Sequence, residues 1–372
     1  MHVGKSCYSE ICSDLYVDGW RLKEVSEVET GKTSFIDEHD GEHEMKEVKH
    51  EKYLGDILSS DGKNAKNIAD RKSRGHGIVN QIMSMLEGIC FGKFYFEVAM
   101  TLRESLLMSS LLTNSESWYN LTLTDIRELE SVDEILLRKV LECRMSTPRE
   151  MLYLELGVIP IRFHIMIRRL NFLKYILLED KHSLIYKVLK TQLRHPTFND
   201  WGQTVIKDLQ QLDRKLDVSD VENLPTATYQ RIVKESAMNQ ALKYLNGLKL
   251  KENQITSKTS HIQHGIIGMA SYLKPNQISV QEAKFVFTLR SRMLDIKCNY
   301  RGKYSDVLCP SCKQEDDTQQ HLLVCSSLNM GGLLAGSLPD YNDLFSDDLS
   351  KQVQLSSIMK TCYDERIKLK KG

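Results

Sequence analysis

The chain is predicted to be mainly α, with short antiparallel β-hairpins at the N-terminus, then a multi-helix body and a small Cys-Cys-His-Cys zinc knuckle. Three observations lead there. Ahead of Gly62 apolar residues alternate with polar ones around turn dipeptides; after it they recur every three to four residues; and the seventeen residues Cys309 to Cys325 read CPSCKQEDDTQQHLLVC. With 372 residues, 41% of them hydrophobic, there is room for about two or three domains with apolar cores.

The hairpins are placed by alternation around Leu15, Tyr16, Val17, Trp20 and Leu22, with Asp18-Gly19 and Asp40-Gly41 as turn signals. Two hairpins with one apolar side are marginal by themselves, so the chain is expected to begin inside a domain. Lys52 to Gly62, KYLGDILSSDG, is expected to supply a final strand, Tyr53 to Leu58, and a turn at Asp61-Gly62. Charge changes at the same place. Fifty basic and fifty acidic residues cancel overall, but residues 1–61 hold fifteen acidic against seven basic ones, leaving a mildly basic remainder.

Beyond Gly62 the stripe Ile78, Ile82, Met85, Leu86 and Ile89 marks an amphipathic helix. Lys63, Lys66, Arg71, Lys72 and Arg74 precede it and can grip a phosphate backbone; a solvated helix face is the plain alternative. Thr124 can cap a helix that buries Ile126, Leu129, Val132, Leu136 and Val140. Pro148 and the Gly157 to Pro160 turn punctuate the next segments. A helix from about Arg162 to Leu178 buries Phe163, Met166, Leu170, Leu173 and Leu177, with Arg162, Arg168, Arg169 and Lys174 as flanking charges that snorkel. A helix from Ser183 ends at Pro196, and Asn199 or Asp200 caps one that turns Trp201, Val205, Leu209 and Leu212 inward. Tyr229 to Leu245 is a further helix expected to stop at Gly247, and Lys249 to Asn276 reads as a linker. Ser279 and Glu282 form a capping box for a helix presenting Phe285, Val286, Leu289 and Met293, and Arg290, Arg292, Lys297, Arg301 and Lys303 lead from it to the knuckle. MGGLLAG is a joint, a last helix runs from about Asp347 to Lys368, and its tail RIKLKKG is a basic cluster of the type read as a nuclear-import signal.

The knuckle carries the sharpest chemistry. Cys309 and Cys312 have the two-residue gap of a tight turn that converges two thiolates on one ion, with Pro310 and Ser311 between them. If Thr318 caps a short helix, His321 and Cys325 lie four apart on one face and complete the set. Four soft or borderline ligands with no open position suit a structural Zn2+. Metal removal is expected to unfold that segment and to leave the larger helical body standing, with Cys298 and Cys362 dispensable for metal. Chance spacing of buried thiols and a surface histidine is the competing explanation.

Other chemistries lack their signatures. There is no phosphate-cradling G-x-x-x-x-G-K-[ST] loop, Rossmann glycine pattern, H-E-x-x-H or G-x-S-x-G. Phe345-Ser346-Asp347-Asp348 has the aromatic-x-Asp-Asp form with which polymerases hold two metals, but it precedes a helix, where Ser346 or Asp347 would cap. The scattered Cys7, Cys12, Cys90, Cys143, Cys298 and Cys362, without a secretory signal, point to an intracellular, reducing compartment, nuclear or cytoplasmic. Ile89 to Met100 is interrupted by Lys93 and Glu97 and too short for a membrane span.

At KYLGDILSSDG, followed by an amphipathic helix, the sequence resembles reverse transcriptases of non-long-terminal-repeat retrotransposons, RNA-directed DNA polymerases encoded by transposable elements. Further blocks look like that family's downstream region: SESWYNLT (Ser115 to Thr122), LESVDEILLRKVL (Leu129 to Leu141), PREMLYLELGVIPIR (Pro148 to Arg162) and RRLNFLKYIL (Arg168 to Leu177). CPSC with HLLVC is similar in order and position to the family's late CCHC knuckle. The resemblance implies a partial palm-like β segment at 1–62, thumb-like helices at 63–120, a helical domain at 121–248, a linker and basic helix at 249–304, the knuckle at 305–328 and a helical tail at 329–372. It also implies RNA and DNA as partners. The family's catalytic carboxylates lie upstream of the palm's last strands, so this portion, a fragment without fingers or most of the palm, is expected to hold nucleic acid without polymerising. No catalytic or cofactor-binding residue is assigned. The alternative is a zinc-stapled α-helical interaction or scaffold protein with no nucleic-acid role.

Overall fold

The protein is mainly helical. The computed structural model describes residues 7–8, 16–17, 20–21, 33–36, 42–47, 49–53, 55–89, 92–195, 200–249, 262, 264–300, 303–328, 340–346 and 348–371.

Short strands come first: β1 (Cys7–Tyr8), β2 (Tyr16–Val17), β3 (Trp20–Arg21), β4 (Thr33–Ile36) and β5 (Glu42–Glu47). β2 and β3 pair antiparallel with Val17 opposite Trp20, around Asp18-Gly19, and β4 and β5 do so with Ile36 opposite Glu42, around Asp40-Gly41. Both strand pairs are antiparallel, as the alternation predicts, and the two Asp-Gly dipeptides themselves lie outside the described residues. β1 pairs with β5 in parallel, which no turn signal encodes. Leu15 and Leu22 lie outside the described residues.

The expected strand Tyr53 to Leu58 is instead the centre of a hairpin, β6 (His50–Tyr53) and β7 (Asp56–Ser59), with Tyr53 opposite Asp56. Gly55 has φ +91°, which closes a two-residue connection that a side chain would strain. The Asp61-Gly62 turn forms as expected: the Gly62 N–H donates to the Ser59 carbonyl at 3.0 Å.

Helix α1 (Ala65–Glu87) buries Ile68, Arg71, Gly75, Val79, Ile82 and Leu86, a three-to-four stripe in which two members are not apolar. Met85 consequently faces outward at 47% exposure, and Ile78 and Ile89 are half-buried. After α2 (Tyr95–Leu102) a π-type turn over Arg103–Met108 leads into the short α3 (Ser109–Leu111). In α4 (Leu123–Leu141) the cap is Thr122, not Thr124: Thr122 Oγ1 accepts from the Asp125 N–H at 3.1 Å and the Asp125 carboxylate accepts from the Thr122 N–H at 2.9 Å. That reciprocal pair satisfies two donors at once, which Thr124 inside the first turn cannot do. Leu129, Val132, Leu136 and Val140 are buried as expected, and Ile126 half so.

Pro148 precedes α5 (Arg149–Leu156), Gly157 ends it, and α6 (Ile161–Leu178) buries all five of its expected core residues. Two of its supposed flanking charges are internal. Arg169 makes a two-pronged pair with Asp208, at 2.8 and 3.2 Å. The Lys174 ammonium donates to the carbonyls of Val221, Glu222 and Leu224, closing the C-terminal end of α9 (Val218–Asn223). Ser183 caps α7 (Leu184–Arg194) and Asp200 caps α8 (Trp201–Gln211), whose Trp201, Val205 and Leu209, with Leu212, are buried. Helix α10 (Thr226–Lys249) continues through Gly247. One interior glycine costs only about 1 kcal/mol and does not by itself stop a helix. Past it come α11 (Val280–Arg290), with its Ser279–Glu282 capping box, α12 (His321–Val324) and α13 (Leu349–Lys371). No described helix is long and apolar enough to cross a membrane.

The elements form two compact units, each assembled from three stretches of chain. The first comprises Met1–Ile78, Leu106–Asp133 and Ile161–Ala237; the second comprises Val79–Ser105, Glu134–Pro160 and Met238–Gly372. In the first, α6 packs against α7, α8 and α9. In the second, the described end of the expected linker is core: Ile262, Ile267, Tyr272 and Leu273 are buried, and Met269 bridges to Leu156. Residues 250–261 and 263 of that segment lie outside the described residues, as does MGGLLAG.

Gly157 marks the closest approach there. Its φ is +70°, and a Cβ would stand 2.2 Å from the Met269 nitrogen and 2.4 Å from the Gly268 carbonyl carbon. Gly157→Ala is therefore expected to destabilise the protein by more than about 2 kcal/mol, read as a lowered urea midpoint at an unchanged slope.

Candidate metal centre

The local chain geometry around the knuckle follows from its residues. Leu308 and Asp316 form an antiparallel bridge, reinforced by bonds from the Cys309 N–H to the Glu315 carbonyl and from the Asp317 N–H to the Val307 carbonyl, each 2.7 Å. Inside this bridge the chain turns at Pro310 and Ser311; the Lys313 N–H returns to the Cys309 carbonyl at 2.9 Å, and Lys313 takes a left-handed φ of 57°. Gln320 flanks the short α12 without a side-chain cap bond, and Thr318 Oγ1, two residues further back, accepts from the first helical N–H, that of His321, at 3.0 Å. That bond and the tight turn bring all four expected ligands together.

Cys309 Sγ lies 3.8 Å from Cys325 Sγ, Cys312 Sγ lies 3.3 Å from His321 Nε2, and the four donor atoms lie within 4.8 Å of one another. Zinc bonds of about 2.3 Å to sulfur and about 2.0 Å to nitrogen, at tetrahedral angles, put donor pairs about 3.5 to 3.8 Å apart. The cluster fits an ion of that size, and it can bind a metal. Cys309, His321 and Cys325 are buried, and Cys312 is half-buried. Without an ion the thiols differ. The backbone N–H of Gln314 pulls Cys312 down to about 6, whereas burial pushes Cys325 up to about 11. Thiolate ligands must lose their protons to bind, so metal binding should weaken as pH falls.

The knuckle is not the self-contained unit that its length suggests. Cys309, Leu322, Leu323, Cys325 and Leu328 share one apolar core with Leu289, Leu294, Ile296, Tyr341, Leu344, Leu355, Met359 and Cys362. Polar ties match. The Asp317 carboxylate accepts from the Lys297 N–H at 2.7 Å and pairs with Arg366 of α13, a salt bridge whose partners are both almost fully buried. Gln319 Nε2 donates to the Leu289 carbonyl at 2.8 Å. Arg366, the first residue of RIKLKKG, thus belongs to the interior rather than to a solvated basic tail.

The five basic residues after Gly62 separate. Arg71 is 1% exposed: its guanidinium pairs with Asp56 at 2.6 Å, donates to the Ser110 carbonyl at 2.7 Å and lies over the Trp118 ring. The structure does not bring it to a surface where phosphate can reach it. Arg74 pairs with Asp70 and donates to the Gly55 carbonyl, and Lys72 pairs with Glu128. Lys63 and Lys66 are exposed, and the Lys63 ammonium lies 3.8 Å from the Asp61 carboxylate. Asp56 also accepts from Asn67, so Asp56, Asn67 and Arg71 fasten the β6–β7 hairpin to α1. The Phe345 to Asp348 box lies between a 3-10 turn, Tyr341–Phe345, and α13, and the Asp348 carboxylate accepts from the Ser350 N–H at 3.0 Å. Asp348 is a cap.

Sequence reasoning missed Glu315. Its carboxylate is 2.9 Å from His321 Nδ1, but nothing in the run Glu315-Asp316-Asp317 singles it out before the chain is folded. Comparison with protein-family models, with curated proteins and with solved structures finds no match to this chain.

Proposed function

We propose that the chain is the C-terminal, nucleic-acid-holding portion of a reverse transcriptase of the non-long-terminal-repeat type, with a structural Zn2+ held by Cys309, Cys312, His321 and Cys325. The observation that carries the reading is the convergence of those four ligands at the end of a helical body whose sequence blocks resemble that family in order. In such a protein the ion supplies no reaction step. It fixes the knuckle, and basic groups meet the phosphates of RNA or DNA. The exposure of Lys63 and Lys66 supports a role for these two members of the basic cluster in that contact. Polymerisation is not part of the proposal, because the blocks that the chain resembles lie downstream of the family's catalytic carboxylates, which two-metal phosphoryl transfer needs.

Binding of labelled single-stranded RNA and DNA, followed as salt is raised, tests this. The affinity should fall steeply with salt, and Lys63→Glu with Lys66→Glu should weaken it across sequences and lower the salt slope by about 1 to 2. Primer extension by the purified chain should yield no product.

A zinc-stapled interaction protein is the second reading, favoured by one observation. In the first unit Tyr119, Phe172, Ile185, Val188 and Trp201 line an apolar groove. Absence of any RNA or DNA binding at low salt would select it.

A further inference from the structure

We infer that Glu315 is a positioning residue for the metal centre: its carboxylate holds the proton of His321 on Nδ1 and so presents the Nε2 lone pair to the ion. The inference rests on the Cys3His reading and goes one layer beyond it.

A neutral imidazole carries one N–H, and only the other nitrogen can bind a metal. His321 Nε2 faces Cys312 Sγ at 3.3 Å, so it is the nitrogen on the ligand side. Nδ1 faces away, 2.9 Å from Glu315 Oε2. An ionised carboxylate only accepts, which selects the Nδ1–H form and orients the ring.

Glu315 is also placed by the same bonds that build the site. Its carbonyl accepts from the Cys309 N–H at 2.7 Å. One residue therefore holds two of the four ligand-bearing residues, Cys309 through its backbone and His321 through its carboxylate. Its acidic neighbour Asp317 is committed elsewhere, to Lys297 and Arg366. The carboxylate itself is 68% exposed, so removing it leaves neither a cavity nor a buried unpaired charge.

Zinc affinity of the full chain, measured by competition with a chromophoric chelator, tests the assignment. Glu315→Ala should weaken zinc binding by about 10- to 100-fold, and Glu315→Gln, which keeps an acceptor, should recover part of the loss. The same Glu315→Ala change made in a His321→Cys protein, whose four thiolates offer no ring to orient, should weaken binding by less than about two-fold relative to that parent. An equal loss in both backgrounds, or no loss in the histidine background, overturns the inference while leaving the metal centre intact. Absence of zinc from the unmodified protein would overturn the centre itself.

Discussion

Cys309→Ser is expected to abolish stoichiometric zinc and, with it, the cooperative folding of the C-terminal core built by α11, α12 and α13. Structural zinc contributes about 10–16 kcal/mol in small finger domains, comparable with the roughly 5–15 kcal/mol that holds a whole domain together. Had the knuckle been an appendage, that loss would have stayed within it. Cys309 and Cys325 instead sit in one apolar cluster with Leu289, Leu355 and Met359, and Asp317 carries the connection to Arg366. Hydrogen exchange should show protection lost from Val280–Arg290 and Leu349–Lys371 as well as from the knuckle, and a chelator should reproduce the effect in the unmodified protein. Cys362→Ser provides the contrast. Its thiol is buried in the same apolar core but lies outside the group of Cys309, Cys312, His321 and Cys325, so the expected zinc should remain at one per chain with only a modest drop in stability. Zinc retained by Cys309→Ser would sink the ligand assignment, and loss of protection confined to the knuckle would sink the coupling.

Glu155→Gln should destabilise the second unit by about 3–5 kcal/mol, because it leaves a buried guanidinium without its counter-charge. Glu155 is fully buried. It accepts from Arg290 Nε at 3.1 and 3.3 Å and from the Tyr272 hydroxyl at 2.7 Å, and it faces His264 Nε2 at 3.4 Å. Burial alone would raise its pKa, but Arg290, then His264 and Tyr272, outweigh that and bring the carboxyl down to about 2 from 4.5. The sign follows. A folded-state pKa below the unfolded one contributes stability that is complete above about pH 4.5 and is lost as pH falls towards 2, on the order of 3 kcal/mol in all. Urea midpoints measured between pH 6 and pH 2.5 should therefore converge for the two proteins as pH falls. A constant difference across that range would show that Glu155 is not the group responsible. Arg290 Nη1 also donates to the Leu344 carbonyl at 2.6 Å, so the network ties α5, the 262–273 segment and α11 to the turn ahead of α13.

What the sequence by itself determined was whatever depends on neighbours in the chain. The Asp61-Gly62 turn, the Ser279–Glu282 capping box, the cap at Asp200 and the ligand spacing of Cys309, Cys312, His321 and Cys325 are all set within a few residues, and all stand in the structure. Where a local signal competed with another, it misled. Thr124 lost the cap to Thr122 because Asp125 could answer Thr122, and Gly247 was carried through by the helix around it. Only tertiary structure decided which charges are internal. Arg71, Arg169, Lys174, Arg290 and Arg366 are indistinguishable from solvated residues in sequence, since their partners Asp56, Asp208, the α9 carbonyls, Glu155 and Asp317 lie on separate elements. The same holds for Glu315, singled out from two acidic neighbours by where His321 Nδ1 comes to rest. The reason is energetic. A buried charge is tolerated only where a distant part of the chain supplies its counter-charge or its acceptors, and that proximity exists only once the core has closed around both.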